Sequence, residues 1–270
     1  MMRRAAPTLL LILACLACAC QPKHPRVGED KGQPEALWSA FLAQAVEPPA
    51  SFTLSASLSL QSPQRSARLL ARFWGNLDRP LRLDLSTGMG QIFAMWREDA
   101  QGWLAVYPHA NQVFTHPDTR QGLSRLGMPL PFGLRDLAGL CAGRLPAMVP
   151  AKYASVKKTP KGFQYSLAQP SPIAALTLDT EGKPIHLTGR GVEPWSVELD
   201  DFAPAQPGGP PLAQRVSLTT PGGIQAVLRV KKIELGAQPM DPKTLELAVP
   251  PQARRIPLDR GGAVQAPELP

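Results

Sequence analysis

Residues 52–60 read Phe-Thr-Leu-Ser-Ala-Ser-Leu-Ser-Leu, and apolar and polar side chains alternate throughout this stretch. Successive side chains of a β-strand point to opposite faces, so the pattern predicts a strand with one apolar and one solvated face. The alternation returns at 67–74 and 81–86, and turn signals at 76–80 and 99–102 separate neighbouring segments. These segments predict an antiparallel sheet that buries one face.

Residues 118–145 have the character of loop and helix, and further strand-like runs lie on both sides of this segment. A first helix is predicted at 34–46, where apolar residues recur at helical spacing. The further strand-like runs are 91–98, 102–107, 111–115, 153–158, 162–167, 173–179, 184–190, 194–201, 212–219 and 224–236. A sheet of about eleven antiparallel strands is too large to stay flat and must curl, which leaves a concave apolar trough covered by few helices.

The N-terminus has the character of an export signal. Arg3 and Arg4 precede a short apolar stretch, which ends in Ala19 and Cys20. Small residues before a cysteine resemble the lipobox of bacterial lipoproteins, which implies that Cys20 becomes the lipidated first residue. Cys15 and Cys18 are competing candidates, and the alternative to all three is an ordinary cleaved signal. Gln21 is compatible with sorting to the outer membrane, so we expect a lipid-anchored protein that faces the periplasm.

These features divide the chain into four parts. Polar, Pro- and Gly-rich sequence follows Cys20 and returns near the C-terminus, and it is typical of tethers and tails rather than packed domains. The predicted parts are a lipoprotein signal peptide at 1–19, a flexible tether at 20–34, one folded domain at 35–250 and a disordered tail at 251–270.

Composition excludes several classes of protein. No apolar run reaches the roughly 18 residues that a membrane-spanning helix needs. Removal of Arg3 and Arg4 with the signal lowers the formal charge from +8 to +6, and the remaining basic residues are not clustered like a nucleic-acid footprint. If Cys20 is acylated, Cys141 stands alone in the mature chain, so no intramolecular disulfide can form.

No motif for catalysis stands out. The four histidines have no metal-ligand spacing, and the closest approach to a nucleophile elbow, at 122–126, lacks the second glycine. Phosphate-binding and dinucleotide-binding glycine motifs are absent from the sequence. We therefore expect a protein that is not an enzyme and that uses no metal or cofactor.

Four short motifs follow one another along the chain: Ser66–Trp74, Leu81–Gly90, Leu126–Pro131 and Pro194–Phe202. Their order resembles the LolB family of outer-membrane lipoprotein receptors. The resemblance implies an incomplete antiparallel β-barrel whose concave face holds acyl chains. It also implies acylated lipoprotein cargo, a LolA-like periplasmic carrier as partner, attachment to the membrane through the N-terminal lipid, a monomer, and no binding to nucleic acid. Leu199 and Asp200 stand where the family has aromatic residues, which favours the broader LolA/LolB-like fold.

Two sets of site residues follow. The family carries an exposed leucine that drives transfer into the membrane, and Met89, between Gly88 and Gly90, occupies the matching position; the alternative is that Met89 packs into the core. Strand alternation predicts which side chains face the trough. The predicted lining residues are Phe52, Leu54, Leu58, Leu69, Phe73, Leu83, Leu85, Leu130, Phe132, Trp195 and Val197.

Three functions remain open at this stage. The first is an outer-membrane acceptor that receives lipoproteins from a carrier and inserts them. The second is a lipid- or lipoprotein-binding protein on the same fold with a sensing role or a different lipid cargo. The third is a structural envelope-assembly lipoprotein whose core is filled by its own side chains.

Overall fold

A computed structural model describes residues 32–44, 49–63, 66–128, 130–190, 194–260, 264 and 267. The predicted signal peptide, the lipidation site Cys20 and most of the tether lie outside these residues. The strands in chain order are β1 (Ser51–Gln61), β2 (Ser66–Asn76), β3 (Leu81–Ser86), β4 (Ile92–Asp99), β5 (Gly102–Tyr107), β6 (Gln112–His116), β7 (Tyr153–Thr159), β8 (Gly162–Leu167), β9 (Ile173–Leu178), β10 (Pro184–Gly189), β11 (Ser196–Pro204), β12 (Pro211–Thr219), β13 (Gln225–Gly236) and β14 (Arg254–Pro257).

All fourteen strands belong to one sheet, in the order β14-β6-β5-β4-β3-β2-β1-β13-β12-β11-β10-β9-β8-β7. The two end strands, β14 and β7, do not pair with each other, so the sheet stays open and the prediction of a mainly β, incomplete barrel is confirmed. The expected number of about eleven strands was too low. Each short apolar run forms its own strand, and β14 adds another.

The C-terminal region differs from the expected disordered tail. Residues 254–257 form β14, which pairs in parallel with β6, so that Ile256 lies opposite Phe114. Leu258 follows and is buried, and the amide of Val264 donates to the carbonyl of Arg125 at 3.0 Å. The segment covers the edge of β6 and satisfies backbone groups that would otherwise be exposed.

Alternation in β1 sets the two faces of the sheet. Phe52, Leu54 and Ala56 are buried on the inner face, and Ser55 is exposed on the outer face. β1 pairs on both sides, with Leu54 opposite Phe73 of β2 and Ile233 of β13. The hydrophobic pattern thus fixes the register, because a shift by one residue would turn the apolar set outward.

Few helices accompany the sheet. They are α1 (Gly32–Ala43), α2 (Thr119–Arg125), α3 (Leu134–Cys141) and α4 (Leu145–Met148), with short 3₁₀ turns at Pro108–Ala110 and Pro242–Leu245. Helix α1 begins two residues earlier and ends three residues earlier than predicted. Its Trp38 stacks on Tyr165 of β8, with ring centroids 4.9 Å apart, and donates to the carbonyl of Ala151 at 2.9 Å.

The segment 119–148, called the lid below, contains α2, α3, α4 and their connections. Asp118 caps α2 by accepting from the amide of Gln121 at 2.9 Å, and Leu123 is buried on this helix. In α3 the buried residues Leu134, Ala138 and Cys141 recur at helical spacing and face the sheet side of the helix. The lid therefore covers part of the concave face. None of the helices in the described ranges is long and apolar enough to cross a bilayer.

Candidate functional site

A cavity of about 280 Å³ lies between the concave face of the sheet and the lid. Side chains from β1–β4 and β11–β13 line one side. They are Leu54, Leu58, Leu60, Leu69, Ala71, Phe73, Leu83, Leu85, Phe93, Trp96, Val197, Val216, Leu218, Ala226 and Leu228. The lid supplies the other side through Leu123, Met128, Leu130, Phe132, Leu134, Leu137 and Leu140.

The lining is almost wholly aliphatic and aromatic. Among the described lining residues, the hydrogen-bonding side chains are Gln61 and Ser62 at the end of β1 and the indole of Trp96. Apolar cavities of this kind stay dry and take apolar guests. The volume lies near the lower limit of ligand pockets, roughly 300–1,000 Å³. The cavity is suited to an aliphatic chain, and a larger guest requires the lid to move.

Nine of the eleven residues predicted to face the trough line this cavity. They are Leu54, Leu58, Leu69, Phe73, Leu83, Leu85, Leu130, Phe132 and Val197. The alternation of β1, β2 and β3 places the strand residues on one face, and the 126–133 connection brings Leu130 and Phe132 over them. Their contact with acyl chains stays a prediction.

Phe52 and Trp195 are buried but do not line the cavity. Phe52 lies at the start of β1, where its ring packs edge-on against Phe73 with centroids 4.9 Å apart. The Trp195 ring packs against Phe132 at 4.8 Å and lies directly on the backbone of Gly189. Both side chains fill the core beside the cavity, so their prediction as lining residues was wrong.

Several lining residues were not predicted. Ala71 of β2 and Phe93 and Trp96 of β4 are among them. Ala71 could have been predicted, because it lies between Leu69 and Phe73 in the same alternation. Leu134 and Leu137 belong to a helical apolar stripe, which by itself does not distinguish a packed core from a cavity wall. The contribution of β12 and β13 follows from the pairing of β13 with β1, which no local pattern reveals.

The cavity opens at one end of the sheet. Among the described lining residues, the two that are exposed are Gln61 at the end of β1 and Gly127 in the lid connection. Leu60, Met128 and Ile224 beside them are partly exposed. Lining residues farther along the strands, such as Leu54 and Phe73, are closed off from solvent. We call this end, which includes the β1–β2, β3–β4 and β12–β13 turns, the mouth end.

Met89 lies in the β3–β4 turn at the mouth end, and its side chain is 90% exposed. The alternative of a core position is therefore wrong. The turn closes by hydrogen bonds from Thr87 to the carbonyl of Gln91 and from Gly90 to the carbonyl of Thr87. Gly90 has φ +84°, which favours glycine. The backbone thus holds Met89 outward.

A buried carboxylate attaches the lid to the sheet at the opposite end. Glu98 of β4 accepts from the hydroxyl of Thr119 at 2.6 Å and from the amide of Leu134 at 2.8 Å. Arg79 pairs with the other carboxylate oxygen at 2.9 Å. Because Glu98 contacts the first residues of both α2 and α3, one side chain of the sheet fixes two lid helices.

A second, polar pocket of about 480 Å³ lies beside this carboxylate and shares Phe132 and Gly133 with the apolar cavity. Its charged residues are Arg79, Glu98, Asp99, Asp118, Arg120, Arg135, Asp136 and Arg144. The four arginines and four carboxylates balance, and several of them already pair with each other or with Asp78. The pocket has no net charge to attract an ion.

The described ranges hold no cluster of metal-ligating side chains, and their free cysteine is buried. No group of three or more His, Cys, Asp or Glu side chains converges there as metal ligands would. Burial raises the pKa of the Cys141 thiol to about 12, so the thiol is protonated and unreactive near neutral pH. Burial also raises the pKa of Tyr107 far above its ordinary value.

Comparisons with known proteins identify the fold. A LolA superfamily protein from Nitrosomonas europaea is similar, with 11% identity, a TM-score of 0.54, and coverage of 77% of this chain and 97% of that one. A putative outer-membrane lipoprotein-sorting protein domain from Vibrio parahaemolyticus has 10% identity, a TM-score of 0.51, and coverage of 80% and 97%. A DUF1329 family protein from Desulfovibrio piger has 9% identity, a TM-score of 0.52, and coverage of 79% and 99%.

Neither protein-family models nor curated proteins give a match to the sequence. At identities of about a tenth, the structural similarity establishes the fold and does not transfer a function. The expected resemblance to the LolB family is supported at the level of the LolA-like fold and not for LolB itself. The chain thus has a LolA-like fold: one large open sheet that curls around an apolar cavity beneath a short helical lid.

Proposed function

We propose that this protein binds the acyl chains of lipids or lipoproteins in the apolar cavity and releases them to a membrane at the mouth end. The observation that carries the proposal is the cavity, which has hydrocarbon walls on both the sheet and the lid. Each methylene removed from water contributes about 0.8 kcal/mol, so such walls can hold an acyl chain without covalent chemistry.

In this proposal the protein acts as a carrier or receptor and not as an enzyme. Release requires only an apolar phase with a higher affinity for the acyl chain than the cavity has, so no nucleotide is needed at this step. The similar lipoprotein-sorting domain from Vibrio parahaemolyticus supports lipoprotein cargo, because it has the same fold. In the finer form of the proposal, the protein is anchored in the outer membrane through Cys20, receives lipoproteins from a LolA-like periplasmic carrier and inserts them, as a LolB-like receptor does.

In this proposal Met89 inserts into the membrane and so allows the acyl chain to be released there. An exposed apolar side chain at the end where the cavity opens can enter the headgroup region of a bilayer and bring the mouth against it. The flexible thioether chain of methionine suits a soft, disordered interface. Met89→Glu places a charge at this tip, so we expect transfer to slow by roughly tenfold or more while cargo binding is unchanged.

The test measures transfer of a lipopeptide with a diacylglyceryl, palmitoylated N-terminal cysteine from the protein to vesicles. Gln91→Glu is the matched control, since it adds the same charge two residues away in the same turn. Transfer by the Met89→Glu protein at the rate of the wild type would contradict the role of this residue. Failure of the wild type to bind the lipopeptide would contradict the proposed function itself and favour a structural lipoprotein.

A further inference from the structure

The outer face of β2 carries a pattern that acyl binding does not use. Arg68, Leu70 and Arg72 alternate along this strand and are all exposed. Their inner neighbours Leu69 and Ala71 line the cavity. The same strand therefore contributes a cavity wall on one face and a mixed basic and apolar surface on the other.

Strand pairing places the exposed apolar side chains of this region on one face of the sheet, with Ser86 between two of them. Leu70 of β2 lies opposite Ser86 of β3, and Ser86 lies opposite Ile92 of β4. Leu70 and Ile92 are each 37% exposed, and Met89 lies in the turn that joins Ser86 to Ile92. In the described part of the chain these are the three large hydrophobic residues that are exposed, and all of them lie at the mouth end.

The charge around these side chains is positive. Arg68 makes no ion pair with a described carboxylate. Arg72 stacks on Trp74, with its guanidinium carbon 4.8 Å from the ring centroid. Asp84, which faces Arg72 across the strands, is already neutralised by Arg82 at 3.0 Å.

Acidic residues are placed away from this region. The described residues of the β1–β2, β3–β4 and β12–β13 turns, 62–63, 87–91 and 220–224, include no Asp or Glu. The turns at the opposite end of β2–β5 carry Asp78 and Asp99. The acidic residues of these turns thus lie at the end away from the mouth, where Arg79 also lies, and the described turns at the mouth end carry none.

We propose that this surface, formed by Arg68, Leu70, Arg72, Met89 and Ile92, docks on an anionic phospholipid bilayer and orients the mouth toward it. Each Lys or Arg near an anionic bilayer strengthens binding about fivefold. This attraction falls off over a Debye length from the surface and is screened at high salt. A protein partner would need a contiguous, close-packed apolar centre. Apolar side chains set apart among arginines suit the interface of a bilayer instead.

Docking goes beyond the proposed binding of acyl chains and is tested without cargo. The chain from residue 20 onward with Cys20→Ala, which lacks both the predicted signal peptide and the lipidation site, is mixed with vesicles of phosphatidylcholine alone or with one third phosphatidylglycerol, and the bound fraction is measured by flotation. We expect binding roughly tenfold tighter to the anionic vesicles, with the preference lost at high salt.

Arg68→Gln is expected to weaken binding to the anionic vesicles about fivefold. Lys161→Gln is the matched control: it removes the same charge from an exposed position in the β7–β8 turn, at the opposite end, and is expected to have little effect. Equal binding to the two vesicle compositions, or equal losses in the two variants, would overturn the proposal. Lipopeptide binding, measured on the same proteins, separates the outcomes, since its loss in the wild type would count against the cavity and not against docking.

Discussion

A single glycine determines where Trp195, an aromatic side chain beside the lid, is placed. The amide of Gly189 donates to the carbonyl of Trp195 at 2.9 Å, and the indole occupies the space that a side chain at position 189 would take. A Cβ at position 189 would overlap the ring. Because Trp195 in turn packs against Phe132 of the lid, the missing side chain at position 189 determines how the lid is supported.

The consequence at the residue scale is a defined loss of stability. Gly189→Ala forces the indole or the strand to shift, and overpacking of this kind costs typically about 1–3 kcal/mol. Gly222→Ala is the matched control, because a Cβ there meets no atom within 4 Å and its cost is within about 0.5 kcal/mol. The free energy of unfolding in urea measures both changes. An equal change in the two variants would contradict the packing described for Trp195.

At the scale of elements, attachment of the lid depends on one strand residue. The Glu98 carboxylate receives hydrogen bonds or an ion pair from Arg79, Thr119 and Leu134, and its side chain is only 5% exposed. Glu98→Gln replaces one acceptor oxygen with a donor, which leaves at least one of these donors without a partner. We expect this substitution to cost about 1–3 kcal/mol, since hydrogen bonds to buried charged groups are among the stronger ones.

Two measurements check this prediction. Urea unfolding gives the loss of stability, and hydrogen exchange shows whether the amides of α3 lose protection before those of β1. Glu234→Gln is the control, because Glu234 pairs with Lys232 in an exposed position and contributes less than about 1 kcal/mol. Uniform loss of protection over the sheet and the lid would mean that Glu98 does not attach the lid specifically.

Strands with a clear alternation of apolar and polar residues were predictable from the sequence. Strands that form only because another strand pairs with them were not. The alternation of Phe52, Leu54 and Ala56 identifies β1 and its buried face, because burial on one face requires that pattern. Strand β14 has no such alternation and forms because the edge of β6 accepts it in parallel. The position of the cavity along a strand also depends on tertiary packing. Phe52 and Leu54 occupy equivalent places in the alternation of β1, but Leu54 lines the cavity and Phe52 does not.

At the scale of the whole molecule, the two faces of the open sheet have different proposed roles, which are binding of acyl chains and docking on a membrane. The concave face and the lid form the cavity, and the convex face near the mouth carries the proposed docking surface. Packed cores seldom leave voids larger than a water molecule, so a hydrocarbon-lined cavity of about 280 Å³ is large for a packing defect and supports the proposed binding. The central claim is that this cavity holds acyl chains.

Mass spectrometry of acyl lipids extracted from the purified Cys20→Ala chain tests that claim most directly. Ala71→Trp fills the cavity from β2, and Lys157→Trp adds the same side chain at an exposed position of β7. We predict that acyl species copurify with the Cys20→Ala chain and with its Lys157→Trp variant, and that Ala71→Trp removes most of them while thermal unfolding stays cooperative. Absence of acyl species from all three proteins, or equal amounts in all three, would contradict the account.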